Sequence, residues 1–131
     1  MDTVALRRLV YRHFADTGAP PHLERAELEA LEAEHAVVLS DTGAVELANP
    51  FAAPPTDFIV STGARDYAAV CAWDALGILA ALDVDGRVET SCPDCGEQIA
   101  VEVAGAQVRD ADAVVHFLVP AARWYEDLRF T

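Results

Sequence analysis

The chain has 131 residues and a formal net charge of −13, with 22 acidic side chains, nine arginines and no lysine. At 53% hydrophobic residues it can bury a core, which excludes gross disorder, and its length fits one domain or a small head fused to a second unit. So acidic a surface is repelled by nucleic-acid phosphates and by anionic lipid, so neither nucleic acid nor membrane is an expected partner.

Residues 3–16 read as an amphipathic helix, with Leu6, Leu9, Val10 and Phe14 on one stripe and Arg7, Arg8 and Arg12 outside it. Gly18, Pro20 and Pro21 break it. A second helix over 23–35 sets Leu28, Leu31 and His35 along one side and Glu24, Glu27, Glu29, Glu32 and Glu34 on the other. Residues 37–39 and 44–47 then form a hairpin across Asp41-Thr42-Gly43. Helix, helix, hairpin is the order of a clipped winged helix. The glutamates on its second helix argue against entry into a DNA groove, so a structural or dimerising head is expected. Residues 49–55 read as a proline-stiffened linker pinned to the core by Phe51, and 58–60 as a short strand.

Residues 67–82 are apolar almost throughout and read as one central buried helix ending near Asp83–Gly86. Residues 87–91 and 98–103 have strand character, and Ile99, Val101 and Val103 alternate in the second. A further strand over 114–119 carries His116, and a short helix or turn over 121–128 carries Trp124 and Tyr125. The expected class is α+β: a short winged-helix-like helical head at 1–48, and a small, mostly antiparallel sheet with a buried central helix at 49–131. No signal-peptide pattern or transmembrane run is present, so a cytoplasmic location with three reduced cysteines is expected.

Two constellations carry chemistry. In the central helix Cys71 and Asp74 stand three residues apart, within side-chain reach. A desolvated carboxyl tends to keep its proton and a neighbouring acid tunes a thiol, so the pair has the character of a soft nucleophile or metal ligand beside a proton donor. In a plain core the same residues would be a small buried thiol and a locally hydrogen-bonded aspartate. Trp73, Trp124 and Tyr125 are expected to be core aromatics. The second constellation is Cys92-Pro93-Asp94-Cys95-Gly96, a tight turn presenting two sulfurs to one Zn²⁺. Further ligands would come from Cys71, His13, His22, His35 or His116, or from the same turn of a second subunit in a homodimer. An empty turn is the other reading.

At these residues the sequence resembles the organomercurial (alkylmercury) lyase family, from about Asn49 to the C-terminus and more weakly over the head. The resemblance is carried by Asn49-Pro50-Phe51, by Tyr67 through Cys71-Ala72-Trp73-Asp74-Ala75-Leu76, by Ser91-Cys92 with Gly96, and by 114–131. It implies protonolysis of a carbon–mercury bond, with no cofactor required. Cys71 matches the cysteine that takes the organomercurial as a thiolate, and Asp74 the aspartate that relays a proton to the departing carbon. Cys92 matches a structural cysteine, and Cys95 is an addition. The family's second mercury-binding cysteine falls just after a segment resembling 124–131, and no residue here matches it. The rival reading is a non-catalytic protein in which Cys71, Cys92 and Cys95, with His116, hold Zn²⁺, Cu⁺ or Hg²⁺. A third is a degenerate family member that only dimerises.

Overall fold

The computed structural model describes residues 1–109. The strand expected at 114–119 with His116, and the segment at 121–128 with Trp124 and Tyr125, lie outside the described residues. Helix α1 spans Thr3–Thr17 and buries Leu6, Val10 and Phe14, which recur every four residues on one face. Asp2 caps it by accepting the Ala5 N–H at 2.8 Å. It stops at Gly18, whose φ of 77° is left-handed and whose N–H returns to the Phe14 carbonyl. A Cβ there would stand 2.8 Å from the Asp66 carbonyl oxygen, so glycine also admits the neighbouring strand. Helix α2, Arg25–Ala33, opens with a reciprocal capping box between Glu24 and Glu27 and buries Leu28 and Leu31.

All strands belong to one antiparallel sheet of order β1-β2-β3-β5-β4-β6-β7-β8 among the described residues. These are β1 Val38–Leu39, β2 Val45–Ala48, β3 Phe51–Ala52, β4 Phe58–Ser61, β5 Asp66–Ala69, β6 Gly86–Ser91, β7 Gln98–Ala104 and β8 Gln107–Arg109. Helix α3, Ala72–Leu82, lies against β3, β5, β4 and β6. The expected hairpin across 41–43 is present, as are the strands expected at 58–60, 87–91 and 98–103, and the class is α+β as expected.

Three local expectations are corrected. The supposed linker contains β3, which joins β2 through Leu47–Ala52 and Ala48–Phe51 pairs. Two strand residues are too few to show alternation, so the strand is invisible in the sequence. Strand β8 was not expected either; its three residues are all exposed and show no apolar period. The third correction concerns the supposed helix at 67–82. Residues Tyr67, Ala68 and Ala69 are strand β5, paired to β4 on one side and β3 on the other. All three are buried, because β5 is an interior strand covered on both faces. Such a strand is a continuous apolar run, which periodicity cannot tell from a buried helix. Helix α3 is itself buried on one face only, through Ala75, Ile78 and Leu79.

The main core joins the helices to the sheet. Leu6, Val10 and Phe14 of α1 pack with Phe51, Val60 and Tyr67 from the strands and with Ile78 and Leu79 from α3. Phe14 and Phe51 stack with ring centroids 5.3 Å apart, and Tyr67 leans on Phe51 at 5.7 Å. The Tyr67 hydroxyl donates to the Ala15 carbonyl, tying α1 to the strand that leads into Cys71.

Candidate functional site

The polypeptide leaves β5 at Ala69 and turns into α3 at Ala72. Val70 and Cys71 lie between, and Cys71, extended at φ −152° and ψ 168°, is the N-cap of the helix. Its Sγ accepts the backbone N–H of Asp74 at 3.4 Å, and its carbonyl accepts the Ala75 N–H at 3.0 Å. A thiol thus stands where Ser, Thr or Asp usually caps a helix. The expected Cys71–Asp74 proximity is present, but its cause is the cap rather than one face of a continuous helix.

Both groups are partly withdrawn from water. Burial pushes the Cys71 thiol up, against the backbone N–H bond that pulls it down, and the nearby Asp74 carboxyl adds to the rise. Burial likewise pushes the Asp74 carboxyl up, and the side-chain hydrogen bond with Cys71 opposes that rise. A protonated thiol donating to a carboxylate accounts for both partner effects. When Cys71 loses its proton to a metal, Asp74 loses the donor that held its pKa down. Burial then favours the neutral carboxylic acid. The cap thus sets a thiol beside a carboxyl that burial inclines to keep its proton, which is the pairing general acid chemistry needs.

Trp73 is 60% exposed, which corrects its expected place in the core. The inward positions of α3 are Ala75, Ile78 and Leu79, and a residue two before Ala75 lies nearly opposite them around the helix. Helical spacing counted from Ala75 would have found this, had the start of the helix been known.

The second constellation also takes form. Residues 92–97 join β6 to β7, with the Gly96 N–H on the Cys92 carbonyl at 2.9 Å and the Cys92 N–H on the Glu97 carbonyl at 2.8 Å. The backbone N–H groups of Cys95 and Asp94, then the Cys95 thiol, hold the Cys92 thiol below its ordinary range. Ile59 of β4 pairs with both Ala68 of β5 and Glu89 of β6. Strands β5 and β6 therefore run in the same direction on either side of β4. Cys71 and Cys92 each come three residues beyond that shared row, so both leave the same end of the sheet. Two strand spacings, about 10 Å, separate their strands. Among the described residues no group of three or more His, Cys, Asp or Glu side chains is gathered to hold a metal ion. His116 lies outside the described residues. No helix among the described residues is long and apolar enough to cross a membrane.

The alkylmercury lyase family matches residues 51–131, which include β3, β5, Cys71, Asp74 and the Cys92/Cys95 turn. The chain belongs to the alkylmercury lyase family. Its fold is also similar to that in a crystal structure of the mercury-bound form of MerB2, with a TM-score of 0.65 at 20% identity. The match covers 82% of this chain and 58% of that one, so the chain spans little more than half the length of its structural relative. Among curated proteins, none matches the chain. Family membership places the Cys71–Asp74 pair inside the matched segment of an alkylmercury-lyase-like protein.

Proposed function

We propose that the chain cleaves carbon–mercury bonds by protonolysis, with Cys71 as the mercury-binding thiolate and Asp74 as the proton donor. The observation that carries the reading is Cys71 at the head of α3, its sulfur accepting the Asp74 backbone N–H at 3.4 Å and so held beside the residue that bears the carboxyl, inside the family-matched segment. The substrate is a small organomercurial cation, RHg⁺. Its mercury is a soft acceptor, for which a thiolate is the preferred ligand. As the sulfur–mercury bond forms, the thiol proton passes to Asp74. The carbon–mercury bond then breaks, and its electron pair takes the proton from Asp74 to release RH. Mercury stays on Cys71 as Hg²⁺, the carboxylate is regenerated, and a small external thiol fills the second position on the metal.

The test is turnover of phenylmercury under excess thiol, with benzene measured by gas chromatography. Benzene is expected from the unaltered protein and not from Cys71→Ser. Benzene formed equally by Cys71→Ser rules out the assigned nucleophile. Mercury bound at one per chain without benzene favours the soft-metal-binding reading instead.

A further inference from the structure

The Cys92/Cys95 turn gathers nucleophilic groups that the proposed chemistry does not use. It is a built loop rather than a chance pair. Two backbone hydrogen bonds close it, Gly96 to Cys92 at 2.9 Å and Cys92 to Glu97 at 2.8 Å. Gly96 adopts φ 73°, a left-handed conformation that a side chain would strain. Pro93 has no N–H to satisfy at the head of the turn. The backbone N–H groups of Cys95 and Asp94, and then the Cys95 thiol, pull the Cys92 thiol below its ordinary range. The turn therefore carries both cysteines on one short loop closed by its own backbone. Cys92 is half-exposed and Cys95 exposed, so a cation reaches them directly from solvent.

We infer that Cys92 and Cys95 form a chelating two-thiolate site for a tetrahedral cation of the Zn²⁺ type, separate from the Cys71 site and independent of the lyase reading. Bite geometry selects the class of ion. With metal–sulfur bonds of about 2.3 Å, a tetrahedral ion spans two sulfurs roughly 3.8 Å apart, a short bite that two cysteines on one closed turn can supply. A linear two-coordinate ion holds its sulfurs about twice the bond length apart and would have to pry the turn open. Binding releases one proton from each thiol, and the N–H donors then stabilise the bound thiolate. Water or a small thiol completes the shell, because no third His, Cys, Asp or Glu is gathered there among the described residues. Asp94, exposed in the same turn, adds a negative charge beside the cation.

The test is Co²⁺ titration of the reduced chain under anaerobic conditions, followed by thiolate-to-cobalt charge-transfer absorption. The absorption is expected in the unaltered protein and in Cys71→Ser, is lost in Cys92→Ser and in Cys95→Ser, and is bleached when Zn²⁺ displaces cobalt. One ion per chain, or one per two chains with a pair of turns sharing it, both support the site. No absorption in the unaltered protein overturns the inference, and so does absorption that disappears in Cys71→Ser. Both turn variants replace accessible side chains, and unchanged far-ultraviolet dichroism separates loss of ligand from loss of fold.

Discussion

Replacing Asp74 with asparagine separates proton donation from every other role of this position. The amide has the size of the carboxyl. The 3.4 Å bond to the Cys71 sulfur comes from the Asp74 backbone and survives the change. What disappears is an acid able to hold and deliver a proton. Loss of a positioned general acid typically lowers a rate by about 10²–10⁴-fold, or roughly 3–5 kcal/mol of barrier. Benzene release from phenylmercury is expected to fall by that factor, while mercury still binds at one per chain. Stability is expected to move the other way. Burial raises the folded-state pKa of Asp74 above its ordinary 3.8. The folded state therefore binds the proton more tightly than the unfolded chain does. That contribution is full below the unfolded value and is lost as pH rises through the folded value. Asparagine never ionises, so its urea midpoint should gain on the parent's as pH climbs from about 4 to 7. The helix N-terminus, which favours a negative charge at this position, offsets part of the gain. Unchanged benzene release in Asp74→Asn would refute the assigned donor. A variant that loses turnover and also loses stability across that range would point to a broken fold instead.

Three further outcomes follow from the geometry. At about pH 8, Cys71 should react with iodoacetamide more slowly than Cys92, since burial pushes its thiol up from 9.0 while hydrogen-bond donors pull Cys92 down from the same value. Peptide-resolved mass spectrometry reads the order, and faster labelling of Cys71 would contradict the burial argument. Gly86→Ala puts a Cβ 2.6 Å from Leu79 Cδ2 and 2.6 Å from the Ser61 carbonyl oxygen. This should cost about 1–3 kcal/mol in equilibrium unfolding, and a neutral result would mean that α3 does not sit tightly on β6. Tyr67→Phe removes the hydroxyl that donates to the Ala15 carbonyl. A loss of about 0.5–1.5 kcal/mol in the same assay is expected, and no loss would mean that this tie to α1 adds nothing.

Much of the fold was legible where short-range rules suffice. Helix α1 shows a four-residue apolar recurrence with a glycine stop, and the β1–β2 hairpin shows its turn residues. The β6–β7 pair shows alternation on either side of a tight turn. The Cys71–Asp74 pairing was legible as well, because a separation of three residues brings the two side chains together at a cap as readily as within a helix. Strand β5 was not, since a strand buried on both faces has no period to read. The exposure of Trp73 was lost with it, because the inward face of α3 depends on where the helix begins.

The sequence by itself determined the charge, the two sulfur-bearing motifs and the local elements around them, all of which depend on residue type and near-neighbour spacing. Only the tertiary structure decided that Cys71 caps α3, that burial raises both its pKa and that of Asp74, and that the Cys92/Cys95 turn leaves the same end of the sheet. The last of these depends on β4 pairing with β5 on one side and β6 on the other. Such pairing joins residues far apart in the chain, and no local spacing encodes it.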